Sequence, residues 1–458
     1  MMKKYPPFRK PRKKGLTLSV ATIMKMKQSW LEFFSSKSYK MYMGQNKLPG
    51  LGVYTLNDPD FVHRALVEDS EKFSQHDIVG KILKPVVGET IFIDDRNRLG
   101  EIENIVISGL EALGDEKIAS IVNNAVDEMI KRLSKRKEKS LGVTHIEREM
   151  SVVCSDITSR LLFDEKIRTK DIDKILSSFA SFQKDTAANI MLNVFKIGSW
   201  LNSGSSNRRA VESALKIRSI MENFTSRCEK RYKSGKCNDT LYAYLRSAEL
   251  PSGKRFDEKE MMDIVSLIFL LSYEIISSSL SWALYLIGAY PGFAQKCREE
   301  IEEEGGDKIF EMPRSFKKMK RVQRLMKETK RLYPPVGLMA RRVEESMEIR
   351  GKKIKKGDFI FISPWLIHRH KEFWRNPNQF LPARFSKGEP FHEYAYLPYG
   401  TYDMDKRFKK LLKTIEGIVI GKMLREFDIE VSDECSEELI ASFTITLEGG
   451  ILLSLKKR

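Results

Sequence analysis

One glutamate and two arginines in the C-terminal part of the chain have the residue types and spacing of a charged cluster. Glu328 and Arg331 stand in a segment rich in helix formers, Phe316 to Leu332, so their side chains share one helix face and can pair. Arg384 follows in a proline-containing loop, from which it can complete a Glu-Arg-Arg cluster. Because such pairs are common on solvated helix faces, where they contribute roughly 0.5 kcal/mol, the surrounding sequence decides what this pair means.

The pair belongs to a series of short motifs that follow one another in a defined order. Prolines and aromatic residues recur in the series, and a glycine ends it. The motifs are Lys327 to Pro335, Arg341 to Val343, Gly351 to Asp358, Ile367 to Trp374, Asn376-Pro377, Phe380 to Phe385 and Tyr396 to Gly400. Their order resembles the C-terminal half of the cytochrome P450 superfamily.

The resemblance continues towards the N-terminus and covers about residues 51–458. It implies a mainly α-helical fold with a small β-sheet region, the cytochrome P450 fold. It also implies one large domain, residues 51–458, after a basic N-terminal segment with a first helix, residues 1–50. The further matching segments are Asp58-Pro59, Phe73, Gly88 to Phe92 and Phe269 to Glu304, the last of which resembles the family's long central helix and the segment after it.

The resemblance assigns roles to the charged cluster and to one position after it. In the family, the Glu-Arg-Arg cluster is a buried structural triad, and a loop after the last motif carries the cysteine that ligates haem. Counting from Gly400 places Lys406 at the cysteine position, and counting back from Phe427, which matches the end of the next helix, reaches the same residue. Since a lysine cannot supply the thiolate of P450 chemistry, we expect no metal ligand there.

Other positions that hold haem in the family carry different residue types in this chain. By the same counting, Leu99 and Glu103 replace a tryptophan and an arginine, Tyr402 and Phe408 replace two loop glycines, and Met404 replaces an arginine. Glu103 would repel a haem propionate where an arginine attracts it. Arg341 and His368 remain as cofactor-binding candidates only if haem is bound.

The central helix keeps one group of the family's oxygen-activating site. Glu274 matches its acid, whereas Ile275 stands at the position of its threonine, so we expect no catalytic residue. An empty cavity of haem size would be costly. We therefore predict that Leu271, Tyr402 and Phe408 point into the space that haem would occupy.

Two functions from different classes follow from this pattern. The first is a non-catalytic pseudoenzyme without a cofactor, acting as a binding or helper partner of another enzyme; P450-like proteins without the cysteine are known activators of glycosyltransferases. A small apolar ligand is also compatible with it. The alternative is a haem-binding P450-family oxidoreductase or monooxygenase with an altered axial ligand, Lys406, Met404, Tyr402 or His392.

Composition and charge indicate which kinds of partner and which cellular compartment to expect. The net charge is +18, but we interpret it as a solvated basic surface and expect no specific nucleic-acid partner. An odd number of cysteines without a Cys-x-x-Cys pair indicates reduced thiols and a cytoplasmic protein; these are Cys154, Cys228, Cys237, Cys297 and Cys435. No apolar region follows the basic residues 1–14. Ile264 to Ile287 is apolar, but its Glu274 and serines favour a buried core helix over a membrane span.

Residue patterns predict several individual elements. Alternation predicts a strand at Leu51 to Leu56, and Glu448 to Gly450 has the signature of a hairpin turn between two strands within Ala441 to Leu455. The sheet is expected to combine the N-terminal region with segments around Met347 to Ile362 and Phe443 to Leu455. Helical or amphipathic spacing marks Val20 to Phe34, Phe61 to Val67, Ala119 to Leu133 and Arg209 to Lys233, with a loop predicted at Ser203 to Asn207.

Overall fold

Helices dominate the protein, which confirms the predicted fold class. The structure, a computed structural model, describes residues 6–11, 29–48, 51–75, 83–89, 96–137, 142–194, 204–311, 315–401 and 404–458. Its helices are α1 (Pro59–His63), α2 (Arg96–Leu113), α3 (Asp115–Lys137), α4 (Ile146–Phe163), α5 (Thr169–Val194), α6 (Gly204–Lys233), α7 (Leu241–Ser247), α8 (Glu258–Leu271), α9 (Ser277–Ala289), α10 (Pro291–Glu303), α11 (Lys308–Glu311), α12 (Lys320–Leu332), α13 (Pro364–Ile367) and α14 (Lys406–Glu426).

The central helix runs through α8 and α9, which are joined by a π-helical turn, Ser272–Ile276. It begins with a capping box, in which the Asp257 carboxylate accepts the Glu260 N–H at 2.8 Å and the Glu260 carboxylate accepts the Asp257 N–H at 2.9 Å. Residues 258–289 are long and apolar enough to cross a membrane by composition, a test that core helices also pass. Leu280 to Ile287 are almost completely buried, as in a core helix.

The strands form one larger sheet and three small ones. They are β1 (Met43–Leu48), β2 (Leu51–Leu56), β3 (Phe73–Gln75), β4 (Val143–His145), β5 (Met339–Val343), β6 (Met347–Ile349), β7 (Lys352–Ile354), β8 (Phe359–Ile362), β9 (Phe427–Val431), β10 (Leu439–Ala441), β11 (Ile445–Leu447) and β12 (Leu452–Lys457). The larger sheet has the order β1-β2-β8-β5-β3, in which β2 and β8 are parallel. The others are β4-β12-β9, β10-β11 and β6-β7.

The main core surrounds α9 and α12. Trp282 of α9 stacks on Tyr333, directly after α12, with 3.5 Å between ring centroids. The Trp282 Nε1 donates to the carbonyl oxygen of Ile445 at 2.7 Å, which ties β11 to the central helix. Lys330 of α12 donates to Glu416 of α14 at 2.7 Å. The contact between Lys330 and Glu416 holds α12 and α14 side by side, so the segment between these helices is anchored at both ends.

Several predicted elements are present where the sequence placed them. The strand Leu51 to Leu56 is β2, and the helix Ala119 to Leu133 lies within α3. The helical segment Phe61 to Val67 begins as α1 and continues as a π-helical turn. Most of the amphipathic stretch Val20 to Phe34 lies outside the described residues, and its end forms a 3-10 turn at Trp30–Phe33.

Three local predictions need correction. The predicted loop at Ser203 to Asn207 is helical from Gly204 onward, because the first turn of a helix tolerates Gly, Ser and Asn, whose N–H groups need no helical partner there. The predicted single sheet is divided, since among the strands that the structure describes β6 and β7 pair only with each other. The turn at Glu448 to Gly450 is real, but β11 and β12 do not pair across it. Instead Ile451 donates its N–H to Glu147 at 3.0 Å, which draws β12 away.

Candidate functional site

The charged cluster lies at the C-terminal end of α12 and is fully assembled. Glu328 and Arg331 are both completely buried, and their side chains form two bonds of 2.8 Å each. Arg384 donates its Nε–H to the same carboxylate at 3.1 Å, and the backbone N–H of Leu381 donates at 2.8 Å. The single carboxylate of Glu328 thus pairs with both arginines and orders the loop that follows α13.

The guanidinium of Arg331 also binds the backbone of that loop. It donates to the carbonyl oxygens of His368 at 2.7 Å, Pro377 at 2.7 Å and Gln379 at 3.1 Å. The His368 ring is engaged on both sides: its Nδ1 lies 3.1 Å from the Arg331 carbonyl oxygen, and its Nε2 accepts the Leu397 N–H at 2.8 Å. Burial and the nearby positive charges hold the pKa of His368 well below its usual value. His368 is therefore a neutral structural residue and has no ring nitrogen left for a propionate.

Gly400 and the start of α14 lie six residues apart in the sequence. Gly400 has a φ of +74°, and a Cβ there would lie 2.8 Å from the sulfur of Met339, so both conformation and space favour glycine. Asp405 caps α14 by accepting the Arg407 N–H at 2.7 Å. Lys406 is the first residue of the helix and is exposed. The position predicted for a thiolate thus lies in the first turn of a capped helix.

Several carboxylates lie close to the start of α14. Partial burial and then the negative charge of Asp405 raise the pKa of Glu103, which lies on α2. Arg407 binds Glu111 of α2 at 2.8 Å as well as Asp405 at 3.0 Å. The side chain of Leu99 lies outside the described part of the structure. A haem propionate placed between α2 and α14 would meet the carboxylates of Glu103, Glu111 and Asp405, the last two of which are paired with Arg407.

The remaining predicted site residues that the structure describes do not all point into one buried space. Leu271, predicted to fill the haem space, has 44% of its surface exposed; it ends α8 directly before the π-helical turn, which changes the face that the helix buries. Phe408 packs against the main core and is partly exposed. Met404 and Arg341 are partly exposed. Tyr402 lies outside the described residues, so its prediction stays a prediction.

Glu274 lies within the π-helical turn and connects three elements. Its carboxylate accepts from the Thr444 hydroxyl at 3.4 Å and also bonds to Tyr273 and to Gln183 of α5. Burial, partly offset by these bonds and reinforced by the charge of Glu147, raises its pKa to about 7. A carboxyl with this pKa exists in both protonation states near neutral pH, so it can hold or release a proton inside the protein.

An aromatic cluster that was not foreseen from the sequence involves Tyr273 and Phe443, the neighbours of Glu274 and of its partner Thr444. Phe443, next to Thr444 in the turn between β10 and β11, packs on Phe179 and Phe182 of α5 with centroid distances of 5.7 and 6.4 Å. Phe179 also contacts Tyr273 edge to face at 5.3 Å. Scattered phenylalanines carry no spacing signal, because their contacts join segments that are distant in sequence.

The raised pKa of Glu274 predicts a pH-dependent stability. The folded protein keeps the Glu274 proton up to about pH 7, whereas the unfolded chain loses it near pH 4.5. The stabilisation is therefore complete below about pH 4.5 and is lost as the pH rises through about 7. In the wild type we expect this group to lower the free energy of unfolding by up to about 3 kcal/mol between pH 5 and pH 8. Glu274→Gln cannot titrate and should lack this decrease. Urea unfolding at both pH values measures it. Glu348→Gln, at an exposed site, is the control, and equal pH dependence in wild type and Glu274→Gln would contradict the assignment.

Comparison with known proteins now identifies the family. Residues 16–401 match the family described as Cytochrome P450. The chain belongs to the cytochrome P450 family. The heme domain of cytochrome P450DA has the same fold, with a TM-score of 0.75 over 91% of this chain and 90% of that one, at 18% identity.

Similar curated proteins are P450s and a plant protein. The Cytochrome P450 4V2 of Pongo abelii is 30% identical over 213 residues, 45% of this chain and 40% of the relative. The chloroplastic protein LUTEIN DEFICIENT 5 of Arabidopsis thaliana is 23% identical over 420 residues, 88% of this chain and 70% of the relative. The part of this chain that matches the first of these spans about two fifths of that relative's length.

Proposed function

We propose that this P450-family chain is a non-catalytic pseudoenzyme that lacks a thiolate-ligated haem and acts by binding. The observation that carries the proposal is the start of α14. Asp405 caps the helix there and exposed Lys406 is its first residue, and the sequence holds no cysteine between Cys297 and Cys435. The residues at this position do not fit the family's cofactor, because no thiolate is available to the iron.

Electrostatics around the same position supports the proposal. Glu103 stands where the resemblance implies an arginine, and Asp405 is close enough for its charge to raise the pKa of Glu103, so a propionate beside Glu103 would meet a carboxylate instead of a guanidinium. The match to the family ends at residue 401, directly before the segment that contains Lys406. All five cysteines are buried, and none of them lies in the segment between Gly400 and α14 or in α14 itself.

The preserved part of the molecule supports a binding role. The buried cluster of Glu328, Arg331 and Arg384 stabilises the fold without taking part in oxygen chemistry. A chain that keeps its scaffold while changing its haem-binding positions presents a folded surface for a partner. We infer that the partner is another protein, an enzyme that this chain assists in the cytoplasm, with a small apolar molecule as a further possible ligand.

The second candidate is a haem protein with a different axial ligand. It is favoured by Glu274, which keeps the acid of the central helix with a pKa of about 7. Lys406 could ligate iron only as the neutral amine, because a protonated lysine has no free electron pair to donate.

Restoring the cysteine separates the two candidates. We expect Lys406→Cys, expressed with haem supplied, to remain without a stoichiometric thiolate-haem absorption band, because Glu103, Asp405 and the cap of α14 persist. Lys409→Cys, at another exposed lysine of α14, is the matched control, and circular dichroism checks folding. A full thiolate-haem band in Lys406→Cys alone would show that the rest of the haem site is intact and would favour the second candidate.

A further inference from the structure

Two cysteine sulfurs lie in contact near the end of α6. Cys228 belongs to the last turns of this helix and Cys237 to the segment between α6 and α7, and their Sγ atoms are 3.3 Å apart. The two residues are 1% and 3% exposed, respectively. Closing a disulfide bond would bring the sulfurs about 1.2 Å closer, a shift within the reach of side-chain rotation.

The chain reverses its direction after α6 through a turn that depends on a glycine. Gly235 has a φ of +73°, and its N–H donates to the carbonyl oxygen of Tyr232 at 2.9 Å. The Lys236 N–H donates to the carbonyl oxygen of Arg231, also at 2.9 Å. These two bonds form the Schellman motif, which ends a helix at a glycine in the left-handed conformation. The motif directs the next residue, Cys237, back along α6.

Further bonds hold the backbone beside each cysteine in place. Glu229, directly after the first cysteine, accepts from the hydroxyl group of Tyr242 at 2.7 Å. Thr240, three residues after the second cysteine, caps α7 by accepting the Ala243 N–H at 3.1 Å. Both bonds involve α7, so a disulfide between the two cysteines should need little movement of the backbone.

The segment that carries Cys237 offers an oxidant a route to the pair. Apart from Cys237, residues 234–239 are exposed, and an exposed segment between helices opens locally more easily than a packed helix. Burial and the neighbouring Cys237 raise the pKa of the Cys228 thiol, which leaves that thiol protonated and slow to react while the segment is closed. Cys237 is therefore the first of the two sulfurs to react.

We propose that Cys228 and Cys237 are a reversible disulfide site whose oxidant is a small disulfide such as oxidised glutathione. The Cys237 thiolate attacks one sulfur of the oxidant, which forms a mixed disulfide and releases one glutathione thiolate. Cys228 then attacks the Cys237 sulfur and releases the second glutathione. In all, the protein thiols lose two protons and two electrons, and the oxidant becomes two thiols. The bond links the end of α6 covalently to the segment before α7.

Neighbouring thiols can also serve two other roles. One is packing alone, since a buried cysteine behaves as a small apolar side chain with a weak S–H donor. The other is metal binding, but zinc sites use at least three protein ligands. In the part of the chain that the structure describes, no three His, Cys, Asp or Glu side chains form a group that could hold a metal ion. Packing is therefore the alternative that an experiment must separate from disulfide formation.

The test is mass spectrometry of the full-length protein after equilibration with mixtures of oxidised and reduced glutathione, with the remaining thiols alkylated after quenching. We expect one intramolecular disulfide, between Cys228 and Cys237, and full reversal by dithiothreitol. Because the chain has five cysteines, three should be alkylated. Cys297→Ser, which changes a buried cysteine of α10, is the matched control and should leave the disulfide unchanged.

Two further variants test the order of attack. Cys228→Ser should stop at the mixed disulfide on Cys237, because the second attacking sulfur is missing. Cys237→Ser should form neither the mixed disulfide nor the intramolecular one, because Cys228 is buried in the helix. Rapid glutathione attachment to Cys228 in this variant would contradict the assigned order.

A comparison with the unfolded chain tests whether the fold brings the two sulfurs together. The equilibrium constant for the disulfide should be at least about tenfold larger in the folded protein than in concentrated urea, because the turn after α6 holds the sulfurs in contact. Three results would overturn the proposal: no disulfide under an excess of oxidised glutathione, a mixed disulfide at Cys237 that does not proceed to the intramolecular bond, or an equilibrium constant that is no larger in the folded protein than in urea.

Discussion

Glu328→Gln is expected to destabilise the protein by about 3–5 kcal/mol, the cost of removing one partner from a buried ion pair. The substitution keeps the size of the side chain but leaves Arg331, completely buried, and the largely buried Arg384 without a countercharge. It also weakens the acceptor for the Leu381 N–H, which lies 2.8 Å from the carboxylate. Urea unfolding at constant pH measures the change.

The matched control is Glu393→Gln, because Glu393 is exposed and lies in a 3-10 turn of the same C-terminal region. Its removal is expected to change the free energy of unfolding by less than about 0.5 kcal/mol. A loss below about 1 kcal/mol in Glu328→Gln would mean that the buried cluster does not hold the loop that contains Arg384.

Gly88→Ala is expected to cost more than about 3 kcal/mol, because a Cβ at this position would lie 1.8 Å from Oδ1 of Asp263. Asp263 of α8 is completely buried and cannot move without losing two bonds. Its carboxylate accepts the Glu89 N–H at 3.0 Å and binds Arg218 of α6 at 2.9 Å. Displacing the Asp263 carboxylate weakens the bonds that compensate its buried charge. An alanine at residue 88 is also strained by the positive φ of that position.

Gly114→Ala separates these two contributions. Gly114 has a φ of +75°, close to the +80° of Gly88, but beyond its chain neighbours no atom of the described residues lies within 4 Å of the position that a Cβ would take. It should therefore lose only the roughly 1–2 kcal/mol of left-handed backbone strain. Equal losses of stability in the two variants would show that Asp263 moves freely and that the contact between α6, α8 and the segment at Gly88 is weak.

Much of the fold could be predicted from the sequence, because the signals for it are local spacings or motifs that follow one another in a defined order. Glu328 and Arg331 share a helix face by spacing alone, and the strand Leu51 to Leu56 showed its alternation directly. The pairing of β12 could not be predicted, because it depends on Glu147, some three hundred residues earlier in the chain, accepting the Ile451 N–H. A turn signature fixes the turn but not the partner of the strand after it.

The candidate site was predictable in its residue types but not in its contacts. Counting placed Lys406 at the ligand position, whereas the cap by Asp405 and the charge of Asp405 on Glu103 required the packing of α2 beside α14. His368 was proposed to hold a propionate, yet both of its ring nitrogens bind the backbone. A histidine's partners depend on distant carbonyl and N–H groups, which no spacing reveals.

The most direct test of the pseudoenzyme proposal is the absorption spectrum of the purified wild-type protein after expression with haem supplied, together with iron quantified per chain. We expect a protein without a Soret band and with far less than one iron per chain. A stoichiometric Soret band with one iron per chain would contradict the proposal, and its position with and without carbon monoxide would then identify the class of ligand that replaces the thiolate.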